Sequence, residues 1–230
     1  YKHYISETAP SYTARYMGND NWYDSYNTAI QTDCDMNIDL YHKSKLVAGV
    51  ELMPYPQFFR FLENFAIDLG GTSGSLGTQD KRSVFVDAKD KFKAAPIICY
   101  ESVFGEYVTE YVKNGATFLT IITNDGWWGD TWGYKQHLFY AKLRAIETRR
   151  SIARSANTGI SCFINQKGKV ILPTRYWEED VIKGSINSND KITLYTRYGD
   201  YIAKFALITF LLIIIFNIKF IKSIYDSTKN

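Results

Sequence analysis

Cys99 closes the apolar run Ala95-Pro96-Ile97-Ile98, and Tyr100-Glu101-Ser102 comes directly after it. An apolar strand that runs straight into a cysteine, with a helix starting soon after, presents the thiol at a strand-to-helix turn. Backbone N–H groups point outward there and a helix N-terminus favours negative charge. Both effects stabilise a thiolate and, later, the oxyanion of a tetrahedral intermediate. The competing reading of such a residue is a small buried core cysteine. A thiol with its ordinary pKa of about 8.5 is mostly protonated at neutral pH and needs help. Candidate helpers are Lys43, Glu51 and Glu101. The stretch Tyr41-His42-Lys43-Ser44-Lys45 ends a strand with two lysines on the same side. One ammonium near a developing oxyanion would stabilise it electrostatically. The other reading of each lysine is a solvated strand end, preferred for Lys45.

Further candidates carry weaker chemistry. Asn124 to Trp128 closes a buried strand, a common place for pocket residues in α/β folds. Trp127, Trp128 and Trp132 suit either an acyl groove or core packing. His137 lies on the first turn of a long helix and reads as structural rather than as a catalytic base. Arg149, Arg150 and Arg154 read as a solvated, salt-bridged face. Cys34, Cys99 and Cys162 have wide, irregular spacing, which excludes a full disulfide framework and shows no zinc-ligand rhythm. At least one thiol is therefore expected free, and Cys34 and Cys162 read as passengers. The glycine-rich stretch 70–77 lacks the Gly-Lys-Ser/Thr ending of a phosphate-binding loop. No metal or organic cofactor is called for.

The elements that must position these groups can be read from periodicity. The opening residues, 22–33 and 36–43 read as strands, the last two joined by a polar turn around Cys34 and Asp35. Pro56 begins a helical pattern over 56–69. Short apolar strands are expected over 83–88 and 95–99, a helix over 103–114 and a buried strand over 116–123. The longest soluble helix is expected over 134–156, with Leu138, Ala141, Ala145 and Ile152 on one face. A hairpin over 160–165 and 169–172 and two further strands near 181–186 and 191–195 complete an α/β layered domain.

Length and composition agree with one substantial domain: 230 residues, 46% hydrophobic and 22% charged, so disorder is not expected. A net charge of +3 from 27 basic and 24 acidic residues is too even for a nucleic-acid binder. From 201 to 218 the chain is apolar apart from Lys204, Thr209 and Asn217. About 18 helical residues rise roughly 27 Å, close to the hydrocarbon thickness of a bilayer. Buried core helices are seldom apolar on every face, so a membrane span is expected. Lys219, Lys222 and Lys229 after it would place the C-terminus in the cytoplasm and the domain outside. The expected organisation is a domain over 1–198, a transmembrane helix over 199–222 and a short tail over 223–230. The chain begins at Tyr1 without a Met, and its natural N-terminus is expected to lie upstream.

Four segments in order, YHKSKLVAGVE (41–51), CYESVFGEYV (99–108), TNDGWWGDTWGYKQHL (123–138) and RAIETRRSIARSANTGIS (144–161), carry a resemblance. Together they resemble the apolipoprotein N-acyltransferases, membrane enzymes of the nitrilase (carbon–nitrogen hydrolase) superfamily. The resemblance runs from about Trp22 to the end of the terminal apolar segment. It implies a nitrilase-like αββα sandwich, here N-terminally truncated, and a Glu-Lys-Cys triad in which Cys99 matches the nucleophile and Lys43 the lysine. Glu51 matches a second required glutamate, and Tyr100 and Glu101 the two residues after the nucleophile. Trp127, Trp128 and Asn124, at the end of the buried strand, are the candidate substrate-binding residues, a reading that rests on their position and not on the resemblance. The implied reaction takes an acyl chain from a phospholipid as a Cys99 thioester. It then passes the chain to the α-amino group of a diacylglyceryl-modified cysteine at the start of a lipoprotein. The implied location is the bacterial inner membrane, multi-pass in the full-length protein, with the catalytic domain on the periplasmic side. The chain has Leu46-Val47-Ala48-Gly49-Val50-Glu51 where the family often has Leu-Val-Pro-Phe-Gly-Glu. Ser6-Glu7-Thr8-Ala9-Pro10 resembles the motif of the family's general base, but 11–20 is too short and polar for the helix and strand that should come after it. The base is therefore expected upstream, and the 230-residue piece alone is expected to be inactive. Two other readings stand beside this one: a nitrilase-like amidase acting on a small amide, which should not need the span, and an inactive membrane-tethered binding domain.

Overall fold

The computed structural model describes residues 2–6, 15–18, 21–52 and 76–227. Glu7, the expected helix 56–69 and most of the glycine-rich stretch lie outside the described residues. The organising element is a six-stranded mixed sheet in the order β11-β10-β9-β8-β7-β6. Its centre is three parallel strands, β7 (Lys93–Ile98), β8 (Phe118–Asn124) and β9 (Ile152–Asn157). Ala94 to Ile98 of β7 are buried without interruption, the pattern of a strand covered on both faces. The two-residue edge strand β6 (Phe85–Val86) pairs only with Lys93 and Ala94. It stops before Pro96, which has no N–H to offer a neighbour. On the other side β10 (Cys162–Ile164) and β11 (Val170–Ile171) form the expected hairpin.

Parallel neighbours need crossovers, and two helices provide them. Helix α1 (Gly105–Lys113) joins β7 to β8 and buries Tyr107, Val108, Tyr111 and Val112. Helix α2 (Trp132–Thr148) joins β8 to β9 and packs against α1. Its start is capped by the Thr131 hydroxyl, which accepts the Gly133 N–H. The helix was expected to reach residue 156. It stops at Arg149, which adopts the left-handed conformation (φ 53°, ψ 38°), and the chain passes directly into β9.

Ahead of the sheet, β4 (Thr28–Thr32) and β5 (Ile38–His42) make the expected hairpin around Cys34 and Asp35, and β4 lies against β7. The single strand expected over 22–33 is two, because the chain breaks at Asn27 between β3 (Asn21–Tyr26) and β4. Strand β3 is the middle of a small sheet with β1 (Lys2–Ser6) and β2 (Arg15–Gly18). The strands expected near 181–186 and 191–195 are absent. That stretch is irregular until a one-turn helix α3 (Leu194–Tyr198), and Val181 stands 92% exposed.

Helix α4 (Tyr201–Ser227) contains one window, Tyr201–Lys219, long and apolar enough to cross a membrane, with a mean hydropathy of 2.3 and no residue of it buried. Its first turn is moored to the domain. Glu106 of α1 accepts the Asp200 N–H at 2.8 Å and the Lys204 ammonium at 2.6 Å. The Lys204 contact, and next the Asp200 N–H, hold the Glu106 carboxyl below its usual range.

Candidate active site

The carboxyl ends of β7 and β8 deliver two residues to one place, Cys99 after Ile98 and Asp125 after Asn124. Cys99 opens a 3-10 turn (Cys99–Val103) and is itself left-handed, with φ at 48°. For a residue with a Cβ that conformation costs on the order of 1–3 kcal/mol, so the surroundings must enforce it. The thiol is half-buried, in contrast to exposed Cys34 and buried Cys162. Burial pushes the Cys162 thiol up to about 11, which keeps it protonated and inert near neutral pH.

The enforcing group on one side is Glu101, fully buried two residues after Cys99. One carboxylate oxygen accepts the Tyr41 hydroxyl at 2.7 Å, the Tyr107 hydroxyl at 2.6 Å and the Ser44 N–H at 2.7 Å. The other accepts the Ile98 N–H at 2.8 Å and, more distantly, the Tyr111 hydroxyl at 3.3 Å. Burial, and next the Glu101 charge itself, push all three tyrosine hydroxyls up in pKa, so they remain protonated donors. Ser44 is the residue after Lys43 in the chain and Ile98 precedes Cys99. A single carboxylate thus ties the segment bearing the lysine to the turn bearing the thiol.

Lys43 is 1% exposed, a position an ammonium occupies only when paired. Its partner is Glu51, whose oxygens lie 2.8 and 2.6 Å from Nζ. Glu51 is fixed in turn by the Val47 N–H at 2.9 Å and the Asn27 side-chain amide at 3.0 Å. The Ala48-Gly49-Val50 segment makes this possible by folding back on itself, with Gly49 at φ 83°. Lys43 and Lys45 were expected on one side of a strand. The strand ends at His42, and the two diverge: Lys43 turns inward, whereas Lys45 lies exposed over the rings of Phe104 and Tyr107.

Beneath Cys99 lies a second buried network that charge patterning missed. Arg154 donates to Asp125 at 2.6 Å, with both side chains fully buried. Asp125 also meets His137 Nδ1 at 2.8 Å and accepts the Thr123 hydroxyl at 3.1 Å. Burial raises the Asp125 carboxyl, but the His137 contact and the Arg154 charge overcome it and hold the group below the usual carboxylate range. The expectation of a solvated arginine face therefore holds only for Arg149. Arg150, fully buried, is held by the carbonyls of Ala116, Thr148 and Lys191. The available signal was the turn sequence Asn157-Thr158-Gly159, which closes a short segment in which Ile152 and Arg154 recur at period two.

Asn124 is the last residue of β8, and Trp127 and Trp128 lie in the short 3-10 turn that follows it, beside this network. Asn124 is exposed and its amide oxygen accepts the Gly126 N–H at 3.1 Å. Trp127 and Trp128 are about half exposed, and Trp132 at the start of α2 is 76% exposed, so none of the three is core packing. Tyr100 packs edge-on against Phe104 at 5.1 Å.

A cysteine at the carboxyl end of a parallel strand, with an adjacent segment carrying a buried Lys–Glu pair, is chemistry that several folds could use. The family model for carbon–nitrogen hydrolases matches residues 6–194. The chain belongs to the carbon–nitrogen hydrolase family. Within that family it is 35% identical over 172 residues to the apolipoprotein N-acyltransferase of Chlorobaculum tepidum, covering 74% of this chain and 32% of the relative. It is 32% identical over 160 residues to that of Haemophilus influenzae, covering 70% and 30%. It is 30% identical over 170 residues to that of Vibrio vulnificus, covering 73% and 33%. The chain thus spans about a third of the length of the curated relatives it matches. Family membership accounts for the nitrilase-like α/β architecture, with its mixed sheet backed by crossover helices.

Proposed function

We propose that this carbon–nitrogen hydrolase carries the catalytic cysteine of a membrane-anchored N-acyltransferase that matures lipoproteins. The observation that carries the reading is the Glu101 carboxylate. It binds the residue beside Lys43 and the residue before Cys99 within a domain fastened to a lipid-length apolar helix. In this reading the Cys99 thiolate attacks the ester carbonyl of a phospholipid. The ester C–O bond breaks, the lysophospholipid leaves as an alcohol after taking a proton, and the acyl group stays on sulfur. The α-amino group of an S-diacylglyceryl-cysteine then attacks the thioester. The C–S bond breaks, the amine loses its proton, and the thiol is restored. Two steps of modest difficulty replace one hard exchange.

The residues divide this work. The Lys43 ammonium, locked by Glu51, faces the developing oxyanion as a fixed cation. Tyr100 and Glu101 set the turn, and Trp127, Trp128 and Asn124 receive the acyl donor. Residues 1–198 form the catalytic domain, 199–222 the span and 223–230 a cytoplasmic tail, with the domain on the periplasmic face of the bacterial inner membrane. The similarity to apolipoprotein N-acyltransferases supports the substrate pair, and the exposed span supports the membrane setting.

The test is to incubate the full-length protein with phospholipid and seek an acyl adduct by mass spectrometry. The adduct is expected on Cys99, absent in Cys99→Ser, and released by a diacylglyceryl-cysteine peptide. An adduct on Cys34 or Cys162 defeats the assignment. Hydrolysis of a small amide with no lipid adduct assigns an amidase instead.

A further inference from the structure

His137 was expected to be structural, and the acyl transfer just described makes no use of it. Its surroundings assign it a job. The ring is 6% exposed, and the Asp125 carboxylate 2.8 Å from Nδ1 can only accept, so Nδ1 carries a proton. The other nitrogen, Nε2, lies 3.0 Å from the Ser102 hydroxyl and 3.2 Å from the carbonyl oxygen of Cys99. The Ser102 hydroxyl itself donates to that same carbonyl at 2.8 Å. The Ser102 proton is spent on that carbonyl and a carbonyl can only accept, so Nε2 is the donor to both oxygens, the reverse of the serine-to-histidine bond of a hydrolytic triad. Ser102 is fully buried and bonded to backbone, so it is no nucleophile. What the chain grips is the peptide carbonyl of Cys99.

We propose that His137 is a positioning residue for the nucleophile, holding the Cys99 carbonyl with Ser102 at the end of the buried Arg154–Asp125–His137 chain and so fixing the left-handed backbone that aims the thiol. The inference rests on Cys99 being the reactive group, as in the proposed function. Glu101 anchors the Ile98 N–H just before Cys99, and His137 with Ser102 anchors the carbonyl just after its Cα. The peptide after Cys99, which sets ψ, is therefore clamped directly, and the peptide one link before the one that sets φ is clamped by a different buried group, Glu101. Releasing one clamp lets a conformation that is unfavourable for any residue with a Cβ relax. The thiol then points elsewhere. Arg154 comes from the middle of β9 and Asp125 from the end of β8, so the clamp is built on the sheet and not on a loop.

The experiment compares His137→Asn, His137→Gln and wild type in the full-length protein reconstituted in phospholipid vesicles. Asn places its amide near Nδ1 and keeps Asp125 within reach. Gln places its amide near Nε2 and keeps the carbonyl. Two rates are measured, alkylation of Cys99 by iodoacetamide and phospholipid-derived acylation of Cys99, alongside the melting temperature. Both rates are expected to fall about tenfold or more in His137→Asn, the equivalent of one lost hydrogen bond, and to recover largely in His137→Gln. A purely structural role predicts rates that follow melting temperature, whichever amide is present. Equal, wild-type rates in equally stable Asn and Gln variants overturn the proposal. If the histidine variants do not fold, Ser102→Ala removes one donor alone. A several-fold slower Cys99 alkylation supports the clamp, and a wild-type rate overturns it. Should wild type show no acylation while the alkylation pattern holds, the acyltransferase reading fails and the clamp stands.

Discussion

Replacing Glu101 by Gln removes one oxygen from the most heavily used carboxylate in the site while leaving its shape. The amide oxygen will take the place that serves Tyr41, Tyr107 and Ser44, because the opposite orientation would strand three close donors instead of the Ile98 N–H and the more distant Tyr111 hydroxyl. The amide nitrogen then faces the Ile98 N–H, donor against donor, where 2.8 Å of charge-assisted contact stood before. Losing such a bond costs about 1.5–3 kcal/mol, and orphaning a buried N–H about 1–3 kcal/mol more. The sum, about 2.5–6 kcal/mol, is a large share of a typical domain's stability. For a domain of this size that corresponds to a fall of about 5–24 °C in Tm. Because the orphaned N–H belongs to the residue before Cys99, alkylation of Cys99 by iodoacetamide should slow as well. The assay is a thermal melt in detergent with parallel mass-spectrometric labelling. A variant that melts within about 2 °C of wild type and labels Cys99 at the same rate would refute the reasoning, since Glu101 would then be a passive core acid.

Three further outcomes are expected. Cys99→Gly should be more stable than Cys99→Ala by about 1 kcal/mol in denaturant titrations, because glycine adopts a φ of 48° without strain; equal stabilities would deny that the turn is strained. At pH 7–8 iodoacetamide should label Cys34 and Cys99 in the native protein and leave Cys162, whose thiol titrates at about 11, untouched; early labelling of Cys162 would contradict its burial. Asp125→Asn should cost about 3–5 kcal/mol at neutral pH by leaving the Arg154 guanidinium buried and unpaired. The Asp125 carboxyl is held below its unfolded value of about 3.9, so its contribution is complete above that pH and lost as pH falls through the folded value. The variant's melting temperature should therefore decline less steeply in acid than wild type's, and a parallel acid limb would argue against an ionised Asp125.

The nucleophile turn was legible because an apolar strand ending in cysteine leaves the next few residues little choice but to turn. Lys43 and Glu51 could be nominated by type and spacing, but not their mutual burial, which depends on a chain reversal over 48–50. Arg150 and Arg154 were misread for a physical reason: charge reads as solvent-facing unless its acceptor is visible. Their acceptors are distant in the chain, the carbonyls of Ala116 and Lys191 for Arg150 and the Asp125 carboxylate for Arg154. The expected strands after 180 failed in a related way. That segment is tied to the sheet by single contacts, among them the Asn189 N–H to Thr117 and Arg150 to the Lys191 carbonyl, and not by a ladder.

The mooring of helix α4 at Glu106 has a mechanical consequence. Gly199, at φ 67°, has no space for a Cβ against the Glu106 carboxylate, so the link between the sheet domain and the apolar helix is tight as well as charged. A Lys204 that must face Glu106 sets the helix's azimuth about its own axis. With it is set which flank, two and three turns further along at Leu211 and Ile215, lies under the protein. The α1 helix that holds Glu106 begins where the Cys99 turn ends. On the proposed reading, the Cys99 sulfur would then be held at a set height from the apolar helix, like a fitting bolted to a pier and not a float on a line.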